Sequence, residues 1–143
     1  MAGLEGRLDD LIDAASDLSP AWPEIGKVWS DREERVFATG SFGRWAPLKV
    51  VTVLQKLRDG ATSEPLVHTG ILKHELTSAT PRSQGPRFAV YGPARGAVID
   101  YAKFHVRGQG VPQRHPVPRL TPTERRRMVE KISDHLAVNG ARR

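Results

Sequence analysis

The sequence predicts an α+β fold, in which a small antiparallel sheet is flanked by N-terminal helices and a C-terminal helix. Apolar residues recur at helical spacing near both ends of the chain, and two extended stretches surround a turn at 83–86. The 11 prolines and 13 glycines indicate long connections, among them a Pro/Gly-rich basic loop. At 143 residues, one domain with one core is expected, with a helical part (1–38), a sheet, short-helix and loop part (39–120), a C-terminal helix (121–138) and a tail (139–143).

Composition and charge exclude some classes of protein. Without cysteine the chain has neither disulfides nor a thiolate metal site, and without a long apolar run or a signal peptide it is expected to be soluble and cytoplasmic when made. Residues 1–81 hold nine Lys/Arg and twelve Asp/Glu, whereas 82–143 hold thirteen and four. This split fits either a nucleic-acid face or docking on an oppositely charged neighbour, and composition does not choose between them.

Two helices are predicted at the N-terminus. The first carries an apolar stripe and should end near Asp17, because the pair Ser19-Pro20 marks a turn. The second should span Ala21–Ala38, and its charged run at 31–35 is expected to be a solvated face. The stripe of the first helix consists of Leu4, Leu8, Leu11, Ile12 and Ala15.

A loop and a short helix should follow. Residues 39–48 contain two glycines and a proline, and Phe42 and Trp45 are expected to anchor this loop to the core. Its Gly-x-x-Gly lacks the sequence context of a phosphate-binding loop. The apolar spacing from Leu48 to Leu57 predicts a helix that Asp59-Gly60 ends.

The middle of the chain predicts a short helix and a hairpin. Thr69 is expected to cap a helix that directs Ile71, Leu72 and Leu76 inward. His68 and His74 stand six residues apart, which suits no common zinc pattern, so structural histidines are expected and no metal site. The hairpin should pair 77–82 with 87–91 around a turn at 83–86.

The stretch from Val98 to Leu120 combines apolar and aromatic residues with arginines and histidines more closely than any other segment of the chain. A helix over 97–106 would place Tyr101 and His105 one turn apart, but no serine or cysteine nucleophile has a partner motif, so a structural histidine is expected. Three prolines should stiffen residues 108–120 into an arm. We expect this arm to leave the fold and to present three arginines, Arg107, Arg114 and Arg119.

A capped helix is predicted at the C-terminus. Thr121 is the expected cap, with Pro122 at the first helical position and Glu124 three residues after the cap. The helix should run to about Ala137, ahead of a frayed tail at 141–143. Its first turn contains Arg125, Arg126 and Arg127, which oppose the helix dipole, so a negatively charged partner would favour them.

Five motifs follow one another along the chain: Trp45-x-Pro47-Leu48 with Thr52 and Lys56; Leu66-x-x-Thr69-Gly70-x-Leu72; Tyr101-Ala102-x-x-His105-x-x-Gly108; Pro112-x-Arg114; and Leu120-Thr121. In this order they resemble the phage virion morphogenesis, or tail completion, proteins. The resemblance covers about Phe37 to Leu136. The chain departs from the family pattern at Glu75, where a serine is usual, and at His115-Pro116, where proline precedes an aromatic residue.

The resemblance implies a structural protein of a tailed phage, a prophage or a phage-tail-like particle. Such a protein would form a ring, expected to be a hexamer, at the head-proximal end of the tail tube. It would contact the tail tube protein and the head-connector proteins, with DNA passing through its lumen, and it would assemble in the bacterial cytoplasm. No membrane partner, catalytic residue or cofactor is implied.

The resemblance also implies roles for individual residues. Trp45, Thr69, Gly70 and Leu72 would be structural, Tyr101, Ala102 and His105 would anchor the base of the loop, and Arg114 would lie in the subunit or tube interface. Arg107, Arg119, Arg125 and Arg126 are the further interface candidates. The main alternative is a nucleic-acid-binding protein that uses the basic C-terminal half. A hydrolase using His105, or a metal pair at His68 and His74, is the weakest alternative.

Overall fold

A computed structural model describes residues 2–93 and 96–140, without the side chains of Ala2, Leu4 and Ala97. The fold is α+β, as predicted, with a two-stranded antiparallel sheet. The sequence predicts one domain, whereas the described residues group into two compact units: unit 1 contains residues 2–29, 79–91 and 120–140, and unit 2 contains 30–78, 92–93 and 96–119. The elements are α1 (Ala2–Ser16), a 3-10 turn (Ser19–Ala21), α2 (Trp22–Ala38), α3 (Gly40–Gly43), α4 (Val50–Arg58), α5 (Ile71–Leu76), β1 (Ser83–Gly85), β2 (Phe88–Val90), α6 (Gly96–Arg107) and α7 (Pro122–Gly140).

The core of unit 1 forms where the start of α2 meets the hairpin and α7. Ala21, Trp22 and Ile25 are buried, and partly buried apolar side chains from the hairpin and α7 pack against them. Gly26 allows a close approach, since a Cβ at this position would lie 1.9 Å from the Ala79 carbonyl oxygen. α1 packs on α7 in this unit. The acidic helix and the basic helix are therefore neighbours, although they belong to opposite halves of the sequence.

The hairpin exists, but its turn lies further along the chain than predicted. Ser83 pairs with Val90 and Gly85 with Phe88, so Pro86 and Arg87 form the turn and 83–85 is a strand. Trp22 explains the position, because its indole Nε1 donates to the Gly85 carbonyl oxygen at 2.9 Å. The Tyr91 hydroxyl donates back to the Trp22 carbonyl oxygen at 2.7 Å. These bonds hold both ends of the hairpin to α2.

The charged run of α2 is only partly solvated, which corrects the expectation for 31–35. Asp31, Glu34 and Arg35 are exposed, whereas Arg32 and Glu33 are buried in unit 2. The Arg32 guanidinium pairs with the Glu33 carboxylate and also donates to the Pro118 carbonyl oxygen. Burial is tolerated because the two opposite charges neutralise each other.

The predicted loop at 39–48 contains a left-handed turn. All four residues of α3 have positive φ, including Ser41 at 54° and Phe42 at 57°. Trp45 is buried, as predicted, and packs edge-on against Phe37 with ring centroids 5.4 Å apart. Phe42 was expected to be a second anchor, but it is 52% exposed. The left-handed backbone directs its ring to solvent.

The remaining helices mostly follow the predictions. α4 and α6 lie where expected, and the capping box of α7 forms, with Thr121 N donating to Glu124 Oε2 at 2.7 Å and Glu124 N to Thr121 Oγ1 at 3.2 Å. α7 continues to Gly140, beyond the predicted end, and the tail at 141–143 lies outside the described residues. Thr69 does not cap α5, because left-handed Gly70 occupies the cap position. Leu72 and Leu76 point inward as expected, but Ile71 is exposed.

Candidate functional site

A cavity of about 540 Å³ lies in unit 2 between α4, α6 and the loop that follows α6. Its lining includes the cationic side chains of Lys49, Lys56 and Arg114, and the loop contributes residues 110–112 and 114. An apolar cavity of about 230 Å³ adjoins it and shares Leu66, His68 and Tyr101 as lining residues. The ionisable residues lining the larger cavity are Lys49, Lys56, Asp59, His68, Tyr101, His105 and Arg114.

Arg114 lies inside the fold, which corrects its assignment to an intermolecular interface. Its side chain is only 3% exposed. The guanidinium donates from Nε and Nη2 to the Ala46 carbonyl oxygen at 3.0 and 2.7 Å, and Nη2 also approaches the Pro47 carbonyl oxygen at 3.4 Å. A side chain tied in this way to its own backbone is not presented to a neighbour.

The loop folds back on its own chain, so the expectation of a projecting arm is wrong. Arg114 N donates to the His105 carbonyl oxygen at 2.9 Å, and the Gln113 amide donates to the Val106 carbonyl oxygen at 2.9 Å. The Trp45 indole donates to the His115 carbonyl oxygen at 3.1 Å. Pro118 has no backbone N–H to donate, but its carbonyl oxygen accepts a hydrogen bond from Arg32, 86 positions away.

His105 lines the cavity from α6 and is 7% exposed. Its ring meets that of Tyr101 edge-on, with centroids 4.8 Å apart, as the one-turn spacing predicted. Burial, together with the positive charge of Arg114, lowers the pKa of His105, and a hydrogen bond to the Pro112 backbone opposes this shift. The Nδ1 atom has no hydrogen-bond partner within the described part of the chain.

Lys56 also lines the cavity, and it is 8% exposed. Its ammonium group donates to the backbone carbonyl oxygen of Glu64. Burial lowers the pKa of Lys56, the Glu64 carboxylate opposes this, and Arg114 adds to the lowering. The Glu64 carboxylate itself is bound to Lys73 at 3.4 Å.

The positive charge of the cavity therefore has little local compensation. Across residues 2–93 and 96–140, no carboxylate forms an ion pair with Lys56, His105 or Arg114. Asp59 is the acidic residue in the lining, and it is exposed. The arrangement is suited to holding an anion by charge and hydrogen bonds.

The wall between the two cavities contains a strained residue. Leu66 is buried and has φ of 63°, a backbone conformation that leucine rarely adopts. Its side chain faces both cavities. Such strain persists where the surrounding structure imposes it.

A second feature of unit 2 is the outer face of α4. Four apolar side chains, Val50, Val51, Leu54 and Leu57, are between 55% and 75% exposed and lie at helical spacing on one face. Lys56 is the residue of α4 that is buried. This helix thus turns its apolar face outward, the reverse of the usual arrangement.

The other predicted interface and motif residues lie apart from the cavity's charged centre. Arg107, Arg119, Arg125, Arg126 and Arg127 are exposed. Trp45 and Leu72 are buried in unit 2. Thr69 is exposed, and Thr69 and Gly70 both line the apolar cavity. The structure thus brings together Tyr101, His105 and Arg114, and it places Thr69, Gly70 and Leu72 around the neighbouring cavity.

The sequence does not reveal that Lys56 is buried or that the apolar face of α4 is exposed. Lys56 belongs to one of the five motifs, but a lysine on an amphipathic helix ordinarily faces water, so nothing near it in the sequence indicates its burial. The apolar face of α4 was visible as a pattern. A pattern of this kind does not say whether the face meets the chain's own core or a partner.

The comparisons with known proteins identify no relative of this chain. No protein-family model, no curated protein and no solved structure matches this chain. Within the described ranges, no group of three or more His, Asp or Glu side chains is placed to hold a metal ion. No helix there is long and apolar enough to cross a membrane.

Proposed function

We propose that this chain is a structural assembly protein of the tail completion type, which forms a ring at the head-proximal end of a phage or phage-like tail tube. The ordered motifs from Trp45 to Thr121 support the tail completion type, and the ring would meet the tube protein on one side and the head connector on the other. One observation carries the assembly role: the exposed apolar face of α4, made of Val50, Val51, Leu54 and Leu57. Contiguous exposed apolar patches are uncommon on soluble monomers and mark interaction sites.

The proposed occupant of this face is α1 of a second copy of the chain. α1 exposes Leu8, Leu11 and Ile12, and the segment from Ala2 to Asp17 holds five acidic residues and one arginine. The α4 face is bordered by Lys49 and Arg58, which are both exposed. Apolar stripes with opposite flanking charge are complementary.

A contact of this kind joins two different surfaces. Each copy would offer α1 to one neighbour and α4 to the other, and a head-to-tail contact closes into a ring when its rotation allows. The proposal therefore accounts for a ring without a symmetric dimer.

Single cysteines test the contact cleanly, because the native chain has none. A tagged Ile12→Cys chain and an untagged Leu54→Cys chain are mixed and treated with a short bismaleimide. The expected product joins tagged to untagged chains. In the matched control, Gln109→Cys replaces Leu54→Cys and should give only background.

Two results would overturn the proposal. One is mixed product no stronger than in the Gln109→Cys control, and the other is a chain carrying both cysteines that links only within itself. Light scattering provides a second measurement. A monomer at every concentration, also with tube protein present, contradicts ring formation.

The exposed arginines of α7 favour nucleic-acid binding as a second candidate. Arg125, Arg126 and Arg127 are all exposed near the start of α7, the end at which the helix dipole disfavours cations. Phosphate contacts predict a steep fall of DNA affinity with salt, and replacing all three with alanine should flatten that slope. Binding without salt dependence would remove this candidate.

A further inference from the structure

The cationic cavity of unit 2 has little counter-charge of its own: Asp59 in its lining is exposed, and no carboxylate among the described residues forms an ion pair with Lys56 or Arg114. Arg114 and Lys56 are nearly completely buried, yet their hydrogen bonds go to backbone carbonyl oxygens and not to carboxylates. Backbone carbonyl oxygens accept the hydrogen bonds of Arg114 and Lys56, but these uncharged groups do not neutralise the two positive charges. Buried charges are ordinarily paired, because desolvation of an unpaired ion is costly.

His105 provides a second, independent observation. Its side chain is more than nine-tenths buried and lines the cavity, and its Nδ1 atom has no partner among the described residues. A buried polar atom without a partner calls for an explanation such as a bound group. The Pro112 backbone carbonyl accepts a hydrogen bond from the ring, so in the neutral ring Nδ1 is unprotonated. An oxyanion in the cavity would therefore accept a hydrogen bond from Nδ1 when His105 is the imidazolium.

The apolar lining of the neighbouring cavity indicates which class of ligand the two cavities together would hold. It is lined mainly by apolar atoms of Leu66, Ile71, Leu72 and Val98, and it shares Leu66, His68 and Tyr101 with the cationic cavity. One ligand occupying both needs an anionic end and an apolar end. Concave, mostly apolar sites with a few convergent polar groups are typical of small-molecule binding.

We propose that the paired cavities bind an oxyanion attached to a short apolar group, with a carboxylate held by Lys56, His105 and Arg114 and the apolar part beside Leu72 and Val98. The proposal does not depend on ring assembly. Lys56 and Arg114 are buried, which favours a small group over the backbone of a nucleic-acid duplex. Asp59, Lys49, His68 and Tyr101 are the other ionisable groups that line the cationic cavity.

The test follows the His105 ring by NMR in the full chain during titration with four probes. Hexanoate should shift the ring signals saturably and raise the pKa of His105, since a bound anion favours the imidazolium. Acetate should bind more weakly because it leaves the apolar cavity empty, and inorganic phosphate reports whether the site prefers that oxyanion. Hexanol, which has no charge, should produce no comparable shift.

Matched variants connect the binding to the charge. Lys56→Met should weaken hexanoate binding about tenfold or more, because a charge-assisted hydrogen bond is lost, whereas Lys56→Arg should retain most of it. Lys103→Met is the control, since Lys103 is exposed on α6 and paired with Asp100 at 3.1 Å.

Three results would overturn the proposal: no saturable shift with hexanoate, acetate or phosphate; equal binding of hexanol and hexanoate; or unchanged hexanoate affinity in folded Lys56→Met. If Lys56→Met does not fold, the titration of the native chain and of Lys56→Arg decides the question. If a separate titration with duplex DNA shifts the His105 signals and none of the four probes does, the positive charge of the cavity serves nucleic-acid binding and the proposal is wrong.

Discussion

At the scale of single residues, Arg114 links parts of unit 2 that are distant in sequence. Its guanidinium holds the Ala46 carbonyl oxygen, and its backbone N–H holds that of His105. The same side chain supplies positive charge to the cavity. Its structural and electrostatic effects are therefore separable only by comparing variants that retain the charge with variants that remove it.

Arg114→Lys should destabilise the fold by about 2 kcal/mol, although the charge is kept, because lysine cannot reproduce the two-atom contact with Ala46. Urea unfolding measures the loss. Arg107→Lys, at an exposed position nearby, should change the unfolding free energy little. Equal effects of the two substitutions would contradict the tethering role of Arg114.

The pH dependence of stability should report on His105. Its pKa lies below the ordinary value of 6.5 in the folded chain, chiefly because of burial. The unfolded chain therefore binds the proton more readily, so stability is fully present above pH 6.5 and falls as the pH drops from there through the lowered pKa. His105→Gln should flatten this part of the curve in denaturant titrations between about pH 5 and pH 8, the range in which histidine ordinarily changes charge. A native curve that stays flat below pH 6.5 would contradict the prediction.

At the scale of elements, the left-handed turn of α3 is an unusual local structure. Left-handed helical backbone costs non-glycine residues about 1–2 kcal/mol each, and Ser41 and Phe42 both adopt it. Hydrogen bonds compensate, since Phe42 N donates to Thr39 Oγ1 at 2.9 Å and Trp45 N to the Gly40 carbonyl oxygen at 2.9 Å. The turn places Trp45 in the core and leaves Phe42 outside it.

Phe42→Gly should therefore be more stable than Phe42→Val by about 1–2 kcal/mol, because glycine adopts positive φ freely and a β-branched residue does not. The exposed ring contributes little packing that either variant would lose. Thermal and urea unfolding of both variants measures the difference. If valine is tolerated as well as glycine, the turn is not left-handed in solution.

The capping box of α7 should stabilise the helix by the usual amount. Thr121→Ala removes the acceptor for Glu124 N and should cost about 1 kcal/mol. Thr123→Ala, at an exposed position in the same turn, serves as the matched control and should be nearly neutral. Comparable losses in the two variants would show that the cap is not formed.

At the scale of the whole molecule, the distribution of apolar surface is reversed in places. Trp22 and Trp45 are buried, yet α1 and α4 leave their apolar stripes in water. The proposed contact between chains would account for this distribution in a chain with 38% hydrophobic residues. The proposed head-to-tail contact would bury both stripes at once.

Leu54→Asp should abolish self-association, because it places a charge at the centre of the α4 face, while the unfolding midpoint should change little at so exposed a position. Sedimentation across a concentration series measures the association. Val117→Asp, at an exposed apolar position outside α4, should associate as the native chain does. Loss of association in both variants would point to a nonspecific effect of added charge.

Local patterns predicted the local elements. The spacing of apolar residues predicted α1, α2, α4 and α6, and the Thr121-x-x-Glu124 pair predicted the start of α7, because hydrogen bonds within a helix and its cap join residues three or four apart. The hairpin was predicted too, but its register was wrong. That register depends on the Trp22 indole bonded to Gly85, a contact across 63 residues.

The α+β class and the positions of most helices were determined by the sequence alone, since periodicity and capping act within a few residues. Only the tertiary structure decided where Arg114, Lys56 and the α4 stripe lie. The Arg114 side chain is bonded to a carbonyl group 68 positions away, and an arginine in a proline-rich segment carries no sign of such a partner. Whether the apolar face of α4 is buried or exposed likewise depends on which residues, of this chain or of another, pack against it in the folded structure.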